Sequence, residues 1–431
     1  MSLLKTVAGH RLTQQAGRVI LYLGLSRLVT VAGAAWMTRC LGPDKLGIST
    51  MIVATAGQMV LVVTFSLDNL FIRRYKNAAT EQERAGWIEL AMSQRFYFSL
   101  ILGLAGILVA WLLHPPSQWW LGIIASLPIL VLSSISPLWV NIAQEDVPAN
   151  FKALSIGAVF MAVLFFIFFR PGQATGSDVV VMALQLALQF VLMTRAALKR
   201  LWPLPIHWRK VREFWPVLRE GRWLFVSGLV TYVYINLELP MLGYLSSLAE
   251  CGKYSVATKL VSAAQQVLSL APLLLFPRFV EWRKLGVDVL WRKQLQLAAI
   301  FLALGLPFCV LAFLLSPFVF RLLYGAPFAG AAIPFAVLFT SKIVAVLNGL
   351  FTQGLWAQSE DRKVFWVVLP TAMISFVCNF LLLPRYGMSA ACGVNLLSEV
   401  LVLAGCFVLA RRHMKEVMAK PEQPERPAPS I

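Results

Sequence analysis

Two rows of polar side chains at helical spacing stand inside apolar sequence between Trp223 and Ser269. On the first run Ser227, Thr231, Tyr234 and Glu238 recur at i, i+4, i+7 and i+11, and on the second Ser255, Lys259, Ser262, Gln266 and Ser269 share one face in the same way. Hydroxyls, an amide, a carboxylate and an ammonium in such rows bind ions and hydrated groups. Inside a membrane they turn toward a bundle interior or a wet cavity. Two adjacent seams, one acidic and one basic, therefore point to a hydrophilic path between helices.

Seven charged residues fall within or near the ends of apolar runs: Arg27, Asp68, Arg95, Glu238, Lys259, Lys342 and Glu399. Each needs a partner or water, because a charge at the centre of a span costs about 2.5–3.5 kcal/mol on insertion scales. Glu238 and Lys259 are site candidates on the two seams, or else a buried pair that locks adjacent helices. Arg27, between Tyr22 and Thr30, is a candidate for the lumen. Asp68 and Arg95 lie nearer the cytoplasmic ends, where they act as site residues or as helix caps and interface anchors. Lys342 and Glu399 read as an internal bridge of the second half.

Other chemistry finds little support. His10, His114, His207 and His413 lie in tails and connections, so neither a metal site nor a histidine-based catalytic dyad or proton relay is expected. No phosphate-cradling glycine loop is legible, which speaks against ATP drive from within the chain, and no cofactor is expected. Cys40, Cys251, Cys309, Cys378, Cys392 and Cys406 have no metal-type spacing, although Cys40 and Cys251 both fall near outer ends where a disulfide is conceivable.

The elements that carry these residues are membrane helices. Of 431 residues 59% are hydrophobic and 13% charged, with a mean hydropathy of +0.73, against about half apolar and a quarter charged in soluble domains. Runs of about 20 apolar residues number about twelve, from Val19–Met37 and Gly47–Phe71 through Trp119–Val140 to Val364–Leu383 and Met388–Ala410. Interior prolines such as Pro128, Pro137 and Pro240 are compatible with helix in this setting. Alternating sides places about 28 of the Lys and Arg residues on one face and about 6 on the other, so both termini are expected to be cytoplasmic. The basic excess then marks topology and anionic lipid, not nucleic acid.

The expected fold is an all-α polytopic membrane protein with two six-helix lobes: 1–197, a basic linker at 198–222, then 223–410, and a charged, Pro-rich tail at 411–431 that is expected to be disordered. In the linker Trp208, Val211, Trp215 and Leu218 recur at helical spacing among arginines and lysines, as in a segment lying on the inner leaflet, with Pro216 arguing against one unbroken helix. The same segment is a candidate hinge. Leu41-Gly42-Pro43-Asp44-Lys45-Leu46-Gly47 and Leu248-Ala249-Glu250-Cys251-Gly252-Lys253 share an acidic residue before a helix-opening glycine. With six spans per half this implies lobes in the same orientation, related by a pseudo-twofold axis along the membrane normal.

Four segments in order carry a family resemblance: Leu41 to Gly47, Glu250-Cys251-Gly252-Lys253-Tyr254-Ser255-Val256-Ala257-Thr258-Lys259-Leu260, Tyr324-Gly325 with Phe328, and Asn379 followed by Leu383-Pro384-Arg385-Tyr386-Gly387. On these the chain resembles the polysaccharide and O-antigen flippases of the multidrug, oligosaccharidyl-lipid and polysaccharide exporter superfamily. Glu238 occupies the place where that family often has an acidic residue. Gln358-Ser359-Glu360 and Ser389 depart from its usual glycine-containing turns.

The resemblance implies a non-enzymatic flippase that moves a polyprenyl-diphosphate-linked oligosaccharide from the inner to the outer leaflet of a bacterial inner membrane by alternating access. Polysaccharide polymerase and glycosyltransferases are its expected neighbours. A diphosphate with a hydrated glycan needs cationic partners in a polar cleft. Arg27, Arg95 and Lys259, with Ser262 and Gln266, are the expected substrate contacts, and Glu238 and Asp68 the expected ion-coupling groups. The rival readings are a small-molecule exporter of the same superfamily, a membrane polymerase or ligase, and a scaffold. Short outer connections argue against the enzyme.

Overall fold

A computed structural model describes residues 2–65, 67–144, 146–198, 209, 213–222, 225–226, 229–230, 237–268, 278–279, 281–358 and 360–419, with side chains from residue 29 onward apart from those of 69, 73, 147, 198, 266–268, 361 and 419. Among the described residues every regular element is helical. In chain order these are α1 (Ser2–Thr64), α2 (Asp68–Asn77), α3 (Glu81–Leu113), α4 (Trp120–Ser134), α5 (Leu138–Ala143), α6 (Val147–Phe168), α7 (Ser177–Leu198), α8 (Phe214–Glu220), α9 (Glu238–Leu245), α10 (Leu248–Leu268), α11 (Val287–Tyr324), α12 (Ala332–Trp356) and α13 (Asp361–Ala419). Eight helices in the described residues are long and apolar enough to cross a membrane. The protein is thus an all-α polytopic membrane protein, its exposed leucines and phenylalanines on α3 and α11 facing lipid as solvent.

Two expected connections shrink to kinks. Inside α1 the single non-helical residue is Gly42, at φ +74° just before Pro43, a conformation open to glycine at little cost. Inside α13 it is Gly387, at φ +51°. The two arms of α13 then run back along each other: a Cβ on Gly405 would come within 2.5 Å of the Val367 side chain, and Lys363 Nζ lies 3.4 Å from His413 Nδ1. This one long element therefore makes a hairpin of two membrane-length arms.

Two expected spans are instead interrupted, which corrects the sequence reading. The run Gly47–Phe71 breaks at Phe65, whose φ of +51° is rare for a bulky residue; its ring centroid sits 4.5 Å from that of Phe225 and 6.1 Å from that of Phe98, contacts that offset the strain. Asp68 then opens α2, where a carboxylate is favoured by the helix dipole. The run Trp119–Val140 breaks into α4 and α5 with Pro137 at the N-cap of α5, while Pro128 stays within α4. Pro137 has no N–H to give the ladder, so the break falls where it costs least.

The chain divides into two compact units, one of Met1–Tyr232, Leu237–Val256 and Phe320–Ala329, the other of Val233–Asn236, Ala257–Val319 and Gly330–Ile431. In the first, α1 packs on α3, α4, α6 and α9, and α7 on α4 and α6. Close approach there relies on missing side chains: a Cβ on Gly33 of α1 would stand 2.9 Å from the Ala162 Cβ of α6. In the second, α12 lies along α13.

The linker is partly described. α8 buries Phe214, Val217 and Gly221 and leaves Trp215, Arg219 and Arg222 outside. Pro216 falls in its first turn, where the absent N–H has no helical partner to lose. Trp208 and Val211 lie outside the described residues. Cys40 and Cys251 are both buried free thiols, so the conceivable disulfide between them is not formed.

Candidate functional site

In the first unit, Arg95 of α3 lies with its side chain 3% exposed and donates from Nη2 to Asp68 Oδ1 at 2.6 Å. The Asp68 side chain is 52% exposed, so the cation is buried and its anion reaches the surface. The guanidinium also stands 5.6 Å from the centroid of the Phe71 ring, and its Nε is buried without a hydrogen-bond partner. Gln94 beside it donates to the Val63 carbonyl, which holds α3 against the end of α1 where the chain breaks at Phe65. The arrangement is one anchored charge with a buried, unmet donor.

Glu238 begins α9 and is 4% exposed; the Tyr254 hydroxyl of α10, from a residue 2% exposed, donates to its Oε2. The two positions are equally far from the turn at Ser246, so the α9–α10 hairpin brings them level. In the sequence Tyr254 stands only as part of the Glu250 to Leu260 motif, and its pairing with Glu238 follows from that hairpin geometry. Cys251 adds a contact from Sγ to the Leu239 carbonyl at 3.6 Å.

Lys259 and Ser262 are exposed on α10. The side chains of Arg27 and Gln266 lie outside the described residues, as do Ser227, Thr231, Tyr234 and Ser269. The structure therefore joins Arg95 with Asp68, and Glu238 with Tyr254.

The two turns that share a sequence pattern meet in space. A Cβ on Gly47 would come 1.8 Å from the Leu248 carbonyl oxygen, and one on Gly252 would come 2.0 Å from the Pro43 oxygen and 3.0 Å from the Gly47 nitrogen. Each turn thus presses a glycine onto the backbone of the other. Around them Arg39 donates to the carbonyls of Leu322 and, at 2.8 Å, Leu323, covering the C-terminal end of α11. Ser49 donates to Asp178 Oδ1 at 2.7 Å, and Lys45 to the Gln173 carbonyl at 2.7 Å.

In the second unit the expected bridge of Lys342 and Glu399 is present at 3.9 Å, with side chains 12% and 8% exposed. It belongs to a longer polar ladder between α12 and α13. Asn348 Nδ2 donates to Glu399 Oε2 at 3.2 Å, Thr352 donates to Asn348 at 2.9 Å, and Ser341 donates to Asn395 at 2.5 Å. Among the described residues no group of three or more His, Cys, Asp and Glu side chains is placed to hold a metal ion.

This architecture is found in solved transporters. The chain matches a structure of the lipid II flippase MurJ in its inward closed conformation with a TM-score of 0.75 at 10% identity, covering 91% of this chain and 87% of that one. It matches a multidrug resistance MATE family transporter of the MOP superfamily, in an inward-facing conformation, with a TM-score of 0.68 at 13% identity over 93% and 99% of the two chains. A MATE transporter of Vibrio cholerae, VcmN, matches at 0.54 and 11% identity over 94% and 98%. At such identities the likeness is one of fold. No curated protein matches in sequence. The model of one protein family, described as polysaccharide biosynthesis protein, matches residues 13–282, more than half of the chain, and this protein belongs to that family.

Proposed function

We propose that the protein is a flippase for polyprenyl-diphosphate-linked oligosaccharide, carrying the repeat unit of a polysaccharide or O-antigen from the inner to the outer leaflet of a bacterial inner membrane by alternating access, with both termini cytoplasmic. Family membership and the MurJ-like fold support a lipid-linked glycan as cargo. The observation that carries the site is Arg95, a buried guanidinium with one donor on Asp68 and one unmet. In this reading a diphosphate oxygen competes with Asp68 for Arg95, and the exposed Lys259 and Ser262, with Arg27 and Gln266, supply further contacts. Charge-assisted bonds of this kind replace the hydration the diphosphate loses. Glu238, shielded with Tyr254, is the proposed coupling carboxylate, and Asp68 its companion.

Outward movement of an anion is also favoured by an inside-negative potential, by about 2.3 kcal/mol per charge per 100 mV. The test is the appearance of lipid-linked glycan on the outer leaflet in cells lacking the protein, with and without the wild-type chain restored. Stalling on the cytoplasmic face that is relieved by wild type and not by Arg95→Ala supports the reading. Normal display in the absence of the protein and of any substitute flippase removes it.

A small-molecule exporter is the second reading, supported by the fold match to a MATE transporter. It predicts drug sensitivity in the deleted strain with glycan display intact.

A further inference from the structure

We infer that the break between α4 and α5 binds a monovalent alkali cation, sodium or potassium. Its ligands are side-chain oxygens of Ser134, Asn141 and Thr194 and main-chain carbonyls at the end of α4, with the Asp146 carboxylate balancing the charge. The site is independent of what the protein transports.

The break leaves carbonyls behind. Ile135 is the last residue whose N–H reaches back into α4, to the Val131 carbonyl at 3.0 Å, and Pro137 has no N–H to return. The final carbonyls of α4 therefore stand outside the helical ladder, at the negative end of its dipole. In broken membrane helices such carbonyls serve as partners for cations.

Three side-chain oxygens around the break are buried and bond to nothing. Ser134, the last residue of α4, is 1% exposed, and its Oγ has no partner. Asn141 of α5 is wholly buried; its Nδ2 donates to Asn150 Oδ1 at 2.7 Å and to the Met193 carbonyl at 3.3 Å, which fixes the amide and leaves Oδ1 unmet. Thr194 of α7 follows Met193, whose sulfur accepts from Ser136 Oγ at 3.8 Å, and its own buried Oγ1 is unmet. Because α7 packs on both α4 and α5, the three oxygens come from elements that meet at the break. Each is a cost to the fold until something supplies its partner.

The break is also held in place. Trp139, Val140 and Ala143 of α5 are buried in a cluster with Leu67, Phe71 and Tyr75, and Gln144 Nε2 donates to the Ala197 carbonyl at 3.0 Å and to the Tyr75 hydroxyl at 3.2 Å.

The chemistry of the set selects the ligand. Every unmet atom of the three is an oxygen, which suits a hard cation. Arg195 and Lys152, the basic residues nearest to them in the sequence, are exposed. Asp146 is half-buried, its N–H donates to the Asn141 carbonyl at 2.8 Å, and its side chain makes no capping bond at the start of α6. One carboxylate balances one positive charge, whereas a calcium site gathers several acidic ligands.

The test uses the purified full chain in detergent, its thermal midpoint being followed as sodium or potassium chloride replaces choline chloride at constant ionic strength. One of the two ions should raise the midpoint saturably, since a ligand bound to the folded state alone stabilises it by mass action. Ser134→Ala with Thr194→Val removes two hydroxyls that bond to nothing, so this variant should be at least as stable as wild type in choline and should lose the ion-dependent rise. Asp146→Asn should raise the half-saturating concentration about 10-fold, as loss of an outer group of a metal site does. No rise with either ion in wild type overturns the site and leaves buried water as the occupant. An equal rise in the double variant overturns it too, by placing the cation elsewhere. Hydrogen exchange over residues 134–146 supplies a readout in the unaltered chain: slower exchange in the effective ion than in choline supports the site, and unchanged exchange overturns it.

Discussion

Tyr254 donates its hydroxyl to the carboxylate of Glu238 across the α9–α10 hairpin, with both side chains almost wholly buried. The bond separates a structural role for the acid from a coupling role. Glu238→Gln keeps an acceptor for Tyr254 and removes the ionisable group, so the variant should fold and reach the membrane while its export loses dependence on an ion gradient. Retained gradient dependence would return Glu238 to a purely structural part. Tyr254→Phe removes a donor from a buried acceptor and should lower stability by about 1–3 kcal/mol, read as a drop in the thermal midpoint in detergent.

Arg95 and Asp68 are unequally buried, and their substitutions should be unequal in cost. Asp68→Asn leaves a buried guanidinium without its anion, the case in which loss of one partner costs about 3–5 kcal/mol. Arg95→Met leaves a carboxylate that is 52% exposed and hydrated, so it should be milder for the fold and complete in its loss of glycan export. Thermal unfolding and outer-leaflet glycan, measured on the same two variants, check the order in each.

At the two interlocked turns, glycine is required for two different reasons. Gly47→Ala and Gly252→Ala place a Cβ about 2 Å from a carbonyl oxygen of the opposite turn, and overpacking against backbone should cost at least about 1–3 kcal/mol. Gly42→Ala meets nothing within 4 Å but must hold a φ of +74°, a strain of about 1–3 kcal/mol. Gly42→Asn, which tolerates positive φ better than Ala, should recover part of that loss, and Gly47→Asn none of it. Unfolding midpoints of the five turn variants distinguish the two causes.

Lys342 and Glu399 should behave as a coupled pair. Lys342→Met or Glu399→Gln alone leaves the other member of a buried pair uncompensated, whereas the double variant removes both charges. The double variant is therefore expected to be more stable than the sum of the single losses implies, with a coupling energy of about 0.5–3 kcal/mol in a double-mutant cycle. Strict additivity would show that the ladder through Asn348 and Thr352, and not the bridge, holds α12 to α13.

The sequence by itself determined the class of fold and the places where helices run. Apolar runs such as Phe151–Phe169 and Val179–Ala197 reappear within α6 and α7, shifted by a few residues, because the cost of unpaired backbone in hydrocarbon leaves helix as the available answer for each run. It also showed which residues were expensive, since a charge amid apolar neighbours is visible in one dimension. The Lys342–Glu399 bridge was legible too, but tertiary structure alone decided who answers Asp68, Arg95 and Glu238. Asp68 and Arg95 are separated by the α2–α3 connection and carried different expectations, substrate contact for one and coupling for the other, yet they share an ion pair. Positive φ at Phe65 is paid for by rings from α3 and from Phe225, residues that no local pattern around position 65 announces. The likeness of the Gly47 and Gly252 turns was legible, but that each glycine presses on the other's backbone was not. Hydropathy acts residue by residue along the chain, whereas pairing, interlocking and break points depend on which distant segments the packed helices bring together.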